Sequence, residues 1–235
     1  MAVESGLEAA EFDLAVSPLR ELNAALHAID ESSTRRWRVL NPRGAHALAV
    51  GIDAPVEVEI EGHAGYYCAG MNKQATVRVH GNVGVGCAEN IMSGAVIVDG
   101  NASQSAGATG RGGLVVIRGS AAARCGISMK GVDIVVQGSV GHMSGFLAQK
   151  GTLVICGDAG EALGDSIYEA HVYVRGKVAD LGADCIEKEM RDEHAAELSG
   201  LLERAEVEGV HPDDFRRYGS ARKLYNFHVD NAGEY

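Results

Sequence analysis

Three cysteines recur at one position of a regular repeat, an arrangement that could hold a metal ion. Cys68, Cys87 and Cys125 each stand six residues after a repeated glycine, and cysteine thiolates are common zinc ligands. Ala106 interrupts the column, and no CxxC pair or neighbouring histidine completes a ligand set. We therefore favour small, soft side chains packed inside the repeat over a metal site, and we expect no disulfides.

Asp99 and Arg118 form the second candidate for chemistry. They stand 19 residues apart, so a repeat of that length places them side by side on neighbouring strands. An acid and a cation on a groove are typical of β-helical enzymes that act on carbohydrate, but opposite charges in register also form a surface ladder. Glu59 and Arg78 stand in the same relation, which favours the ladder.

A glycine-rich segment and one histidine complete the candidates. NASQSAGATGRGG, residues 101–113, is similar in composition to a phosphate-binding loop, but its glycines belong to a repeat turn and no helix follows to receive an anion. His142 lies in a turn, where we expect a hydrogen-bonding role rather than acid–base chemistry. The sequence also lacks a P-loop and a GxSxG motif. It therefore assigns no catalytic, cofactor-binding or metal-binding residue to this chain.

The element that positions these residues is a 19-residue repeat. Positions two and four residues before each marker glycine are aliphatic, as at Ile60 and Val58. Alternate positions share one face of a strand, and a fixed period in constant register is typical of a solenoid. So much glycine is too costly for a helical repeat. The marker glycines are Gly62, Gly81, Gly100, Gly119, Gly138, Gly157 and Gly176.

We predict an all-β solenoid, a right-handed parallel β-helix of about seven 19-residue rungs with an outward face that is free to be polar and with helical or extended attachments. The predicted boundaries are residues 1–36 for an N-terminal segment, 37–186 for the β-helix and 187–235 for a C-terminal helix with a docking tail. A helix is expected at 17–30, capped by Ser17, and another at 187–206, ended by Gly209. Residues 35–56 are expected to cover the open end of the solenoid.

The tail, residues 211–235, mixes aromatic side chains with basic ones, a combination typical of interface hot spots. We expect it to dock on a partner, and packing on the chain's own solenoid is the alternative. The residues concerned are Phe215, Tyr218, Tyr225, Phe227 and Tyr235, with Arg216, Arg217, Arg222 and Lys223.

Composition disfavours several classes of function. The formal net charge over 235 residues is -11, which argues against nucleic acid or an anionic membrane as partner. No apolar run reaches a transmembrane length, and the start MAVESGLEAAEF lacks the features of a signal peptide. We expect a cytoplasmic protein.

The turn sequences GHAGYYCAG, GNVGVGCAEN and GSVGHMSGF, on aliphatic strands at this period, resemble the GXGXG family. That family includes the C-terminal β-helix domain of the large glutamate synthase subunit and one of the subunits of formylmethanofuran dehydrogenase. The resemblance covers about residues 37–186. The flanks, including the ending RRYGSARKLYNFHVDNAGEY, are most similar to the small GXGXG subunit of methylamine–glutamate N-methyltransferase, also called N-methylglutamate synthase.

This resemblance implies a hetero-oligomeric transferase in which the chain is a scaffold without catalytic residues of its own. The implied partners are an amidotransferase-like subunit and an FMN-binding synthase-like subunit, which together convert glutamate and methylamine to N-methylglutamate and ammonia. It implies no cofactor in this chain, and FMN, with an iron–sulfur cluster as a further option, in a partner. The alternatives are a scaffold in a formylmethanofuran dehydrogenase-type complex, which transfers formyl groups with molybdenum or tungsten, and an independent β-helical enzyme that acts on carbohydrate.

Overall fold

The repeat folds as a parallel β-solenoid, as predicted. A computed structural model of the chain describes residues 9–30 and 35–222. Neighbouring strands of the solenoid are parallel, and Val58 and Ile60 pair with Val77 and Val79 of the next rung. These four side chains are fully buried, so the predicted inward columns are confirmed. The seven strands are β3 (Glu57–Ile60), β4 (Thr76–Val79), β5 (Ala95–Val98), β6 (Leu114–Ile117), β7 (Lys130–Val136), β8 (Lys150–Ile155) and β9 (His171–Val174).

The N-terminal region lengthens the solenoid instead of only covering it. β1 (Ala10–Asp13) and β2 (Arg36–Leu40) pair in parallel with each other, and β2 pairs in parallel with β3. The prediction of a cap at 35–56 is therefore wrong, because this segment starts with a strand in register with the rungs. The end of the core is covered by α1 (Leu19–His27), whose Leu22 and Leu26 are buried. Pro18, not Ser17, occupies the N-cap position.

The C-terminal region adds two strands and a helix. They are β10 (Cys185–Lys188), α2 (Asp192–Arg204) and, after a single 3-10 turn at Pro212–Asp214, β11 (Arg216–Ser220). β11 lies between β9 and β10 and is antiparallel to both. The predicted helix at 187–206 starts later than expected because residues 185–188 belong to β10, and it ends before Gly209.

Each rung closes through a turn whose backbone touches the next rung. The N–H of Gly119 donates to the carbonyl of Gly100 at 3.0 Å, and later marker glycines repeat this bond. The side chain after each marker glycine from Gly62 to Gly157 accepts the N–H of its equivalent one rung further on, as Asn101 Oδ1 does from Ser120 at 2.8 Å. This column, which the sequence prediction did not include, joins the turns into a ladder of His63, Asn82, Asn101, Ser120, Ser139 and Asp158.

The outward face of the strands changes character along the solenoid. It is polar at Glu59 and Arg78, but the same column is apolar and buried at Val116, Val135, Val154 and Tyr173. α2 covers this apolar half with Leu198, Leu201 and Leu202, which join the same hydrophobic cluster. The freedom to be polar that we expected for the outward face therefore holds only for the N-terminal half, because α2 buries the C-terminal half. Among the described residues, no helix has the length and apolar character needed to cross a membrane.

Candidate functional site

Asp99 lies at the centre of an ion-pair ladder on the outward face. Its carboxylate accepts from Arg78 Nη2 at 3.0 Å and from His80 Nδ1 at 2.8 Å, and Arg118 Nε lies 3.4 Å away. Burial raises the pKa of Asp99, but the hydrogen bonds from Arg78 and His80 outweigh this effect and lower it. Arg118 also donates to Glu206 at 2.7 Å. Because both Asp99 oxygens are engaged with cations, the geometry favours the structural ladder over a catalytic pair.

A mixed group of carboxylates and histidine extends this ladder towards β2. Within residues 9–30 and 35–222, Glu59, Glu61 and His80 are the group whose possible metal-ligand atoms lie within 4.8 Å of one another. However, Glu61 accepts from Arg38 Nε at 2.6 Å, and His80 is bonded to Asp99. Two of the three side chains are thus already bonded within the charged surface, so we interpret the group as part of that surface.

The cysteine column lies inside the solenoid. Cys68, Cys87 and Cys125 are fully buried. Burial raises the pKa of the Cys68 and Cys125 thiols to about 12, and it raises that of Cys87 well above its usual range. Thiols that stay protonated are poor nucleophiles and poor ligands, so their environment fits the predicted packing role.

The remaining sequence candidates lie in turns. Residues 101–113 connect β5 to β6 within one rung, so no helix follows the glycines. In this segment Asn101 belongs to the turn ladder, and Thr109 Oγ1 donates to Asn90 Oδ1 at 2.6 Å. His142 is exposed, and its backbone carbonyl accepts the N–H of Arg124 at 2.9 Å. The structure does not bring these residues together into one site.

A groove of about 810 Å³ separates the outward face from the chain after α2. Its lining includes Arg118, Cys156, Arg175 and Val207. The arginines face carboxylates, since Arg175 Nε lies 3.5 Å from Asp214 and Arg118 is bonded to Glu206. Burial raises the pKa of Cys156 to about 11, although Arg175 opposes this rise. The groove thus holds no activated thiol.

A polar cluster beneath α2 was missed by the sequence prediction. Glu197 of α2 accepts from Tyr173 Oη at 2.5 Å, and its second contact is His171 Nδ1 at 2.8 Å. Thr152 Oγ1 lies 3.4 Å from the other carboxylate oxygen. The cluster joins α2 to two strands, β8 and β9, that are distant from it in sequence, so no local motif could reveal it. The cluster fixes α2 on the sheet.

Glu197 should make the stability of the chain depend on pH in the acid range. Burial raises the pKa of Glu197, but the hydrogen bonds from His171 and Tyr173 prevail and hold it at about 2, below the ordinary 4.5. A depressed carboxyl pKa stabilises the fold above the unfolded value and loses that contribution as pH falls through the folded one. We expect the melting temperature to decline between pH 4.5 and pH 2 and this decline to be smaller in Glu197→Gln.

The matched control for this measurement is Glu203→Gln, which removes an exposed carboxylate from the same helix. Melting curves across this pH range should show the wild-type decline in the control. If the melting temperatures of Glu197→Gln and of the wild type fell equally with acid, Glu197 would not be the source of this pH dependence.

Two of the four predicted anchors of the tail, Phe215 and Tyr218, are buried within this chain. Phe215 and Tyr218 are 5% and 2% exposed, and both pack within hydrophobic clusters of this chain. Arg217 Nε donates to the carbonyl of Glu189 at 2.9 Å, and Arg216 donates to that of Gly176 at 3.1 Å. The docking hypothesis is therefore wrong for Phe215 and Tyr218, because β11 is part of the sheet. Tyr225, Phe227 and Tyr235 lie outside the described residues.

Comparison with known proteins gives one close relative. No family model matches the chain, and no solved structure matches it. Protein GlxC of Rhizobium meliloti (strain 1021) is 64% identical over 224 residues, which cover 95% of this chain and 98% of the relative. Since the identity extends over nearly the whole of both chains, this chain belongs to the family of Protein GlxC.

Proposed function

We propose that this chain is a non-catalytic scaffold subunit of a glutamate synthase-like assembly of several different chains. Three features support the proposal. The turn sequences resemble those of the GXGXG family, the rungs form a continuous stacked solenoid, and the polar groups of the outward face are engaged with one another. A rigid solenoid of this kind offers an extended surface to partners.

An apolar patch on the first two repeat turns is the observation that carries the proposal. Four of the six large hydrophobic side chains that are exposed in the described residues lie between positions 66 and 92. They are Tyr66, Met71, Val85 and Met92, and their exposed fractions range from 42% to 52%. Tyr66 and Val85 stand at the same position of two neighbouring rungs and form the patch, while Met71 and Met92 lie elsewhere on these rungs. Exposed apolar patches mark contact sites for other proteins.

The patch is ordered and confined to these rungs. The Tyr66 ring stacks on Tyr67 at 5.6 Å and meets His46 edge-on at 6.3 Å. The N–H of Tyr67 donates to the carbonyl of Val85 at 2.8 Å, which brings the two rungs of the patch together. On later rungs the column that holds Tyr66 and Val85 continues with Gln104, Ala123, His142, Glu161 and Asp180.

The finer proposal is that the complex is N-methylglutamate synthase, with an amidotransferase-like and an FMN-binding synthase-like subunit as partners. It is tested by co-expressing this chain with subunits of these two kinds that are encoded beside it, and by measuring flavin absorbance in the purified assembly. We expect flavin in the complex and none in the isolated chain. Molybdenum or tungsten in the co-purified partners would contradict this assignment and support the formyl-transfer alternative.

The double variant Tyr66→Ser/Val85→Ser should lose its partners while it keeps its fold. Aromatic anchors at interfaces commonly contribute about 2 kcal/mol or more, a factor of roughly 30 in affinity. Val16→Ser is the matched control, because Val16 is 81% exposed and lies outside the patch. Undiminished co-purification of the double variant would show that the patch is not the contact surface.

A further inference from the structure

A small cavity on the outward face, at the C-terminal end of the sheet, differs in charge from the rest of the molecule. It has a volume of about 270 Å³, and its walls include His171, Lys188, Arg217, Gly219, Arg222 and Glu169. Three of the nine lining residues are cations and one is an anion, whereas the whole chain carries a formal net charge of -11. A cationic recess on an acidic protein is an unusual local feature that needs a physical reason.

The two central cations lie directly opposite each other. Lys188 of β10 is the cross-strand partner of Arg217 of β11, so both side chains project from the same face of the sheet. Like charges in such a pair destabilise a sheet unless a counter-charge lies between them. Within residues 9–30 and 35–222, neither cation has a carboxylate at ion-pair distance.

Arg217 is the more unusual of the two. Arg217 is only 9% exposed, and its Nε donates a hydrogen bond to the carbonyl of Glu189. Glu197 and Glu193 act on it at longer range, and burial still lowers its pKa. Burial therefore disfavours the charge of this guanidinium, and an anion bound beside it would offset that cost.

The other walls leave room for a ligand beside the two cations. Glu197 accepts from His171 Nδ1, which fixes the orientation of this ring in the cavity wall. Gly219 provides an open floor, since a Cβ built there would lie 3.7 Å from Lys188 Cγ and meet nothing closer. Arg222 is paired with Asp184, and Glu169 contributes one negative charge to the wall.

We propose that this cavity binds a small oxyanion, a carboxylate or a phosphate, between Lys188 and Arg217. The planar guanidinium of arginine matches the two oxygens of either group, and the lysine adds a point charge. The volume limits the ligand to a small molecule, about the size of a dicarboxylic acid. This site is independent of the scaffold function, because it lies at the opposite end of the solenoid from the apolar patch.

The test is calorimetric titration of the full chain with inorganic phosphate, succinate and acetate in Tris chloride buffer. We expect saturable binding of phosphate or succinate. Binding of only one of them supports the site and identifies the class of oxyanion, and acetate shows whether one carboxylate suffices. Absence of saturable binding for all three anions would overturn the proposal.

Lys188→Gln should weaken binding at least about tenfold, since a charge-assisted hydrogen bond contributes enough to account for that factor. Lys177→Gln is the matched control, because Lys177 is exposed and does not line the cavity. We expect wild-type affinity for the control.

Arg217 is buried, so its replacement could unfold the chain, and Gly219→Leu provides a second variant. The leucine would occupy the floor of the cavity, and the backbone of Gly219 lies outside the left-handed region. We expect a folded protein with no measurable anion binding. If Lys188→Gln and Gly219→Leu both bind as the wild type does, the anion lies elsewhere and the proposal fails.

Discussion

A chain that ends at Val210 is expected to unfold far below the melting temperature of the full chain. The truncation removes β11, which lies between β9 and β10 and supplies the hydrogen bonds of both neighbours. It also removes Phe215 and Tyr218 from two hydrophobic clusters. Loss of one buried aromatic side chain typically costs about 3–5 kcal/mol, so the combined loss approaches the whole stability of an ordinary domain.

The control is a chain that ends at Arg222, which keeps every described residue. Thermal unfolding followed by circular dichroism should show a large difference between the two truncations, and that difference reports β11. Equal melting temperatures for the two truncations would contradict the role of β11 as an internal strand. They would favour the docking tail that the sequence suggested.

Gly119→Ala is expected to destabilise the solenoid by about 3 kcal/mol, the upper end of the usual cost of overpacking. A Cβ at this position would lie 2.7 Å from the carbonyl oxygen of Gly100 and 2.9 Å from its carbonyl carbon. Both are backbone atoms, so the clash can be relieved only by separating two rungs. That separation would also lengthen the bond from the Gly119 N–H to the Gly100 carbonyl.

Gly200→Ala is the matched control for this substitution. Gly200 is exposed within α2, and a Cβ there would have nothing within 4 Å. Alanine should stabilise the helix by about 1 kcal/mol, because glycine is a poor helix former. Urea unfolding measures both changes, and we expect opposite signs. A neutral or stabilising effect of Gly119→Ala would mean that the marker glycines are not required for close approach of the rungs.

The inward half of the solenoid was predictable because its signal repeats. Val58 and Ile60 have aliphatic equivalents at every multiple of 19 residues, and a periodic pattern directly encodes a buried face. The ion pair of Asp99 with Arg118 followed from the same period. Handedness and the domain boundaries remain predictions, as do the absence of a cofactor and the choice of partners.

The features that sequence reasoning missed depend either on single contacts or on the outward column of the strands, which changes from polar to apolar along the solenoid. The outward column starts with Glu59 and Arg78, which hid its apolar continuation at Val135 and Val154. Aromatic residues beside arginine suggested a docking tail, but the same composition suits a strand whose alternate side chains face a core. Tyr218 faces the solenoid interior in this way.

The fixed length of α2 limits how this chain can vary by gain or loss of whole repeats. Successive positions along the helix and the two residues after it reach successively earlier rungs, since Glu197 contacts Tyr173, Arg204 contacts Asp133 and Glu206 contacts Arg118. A 13-residue helix is about 20 Å long. Four parallel strands span roughly 14 Å from the first axis to the last, and the width of the outer strands brings this span close to the length of the helix.

Deleting a 19-residue unit beneath α2 would therefore misalign these contacts, even though every remaining rung kept its register. Deleting one unit between β3 and β5 would leave them intact. The helix thus fixes the number of rungs in the C-terminal half. Natural or engineered variants that differ in repeat number should be tolerated on the N-terminal side.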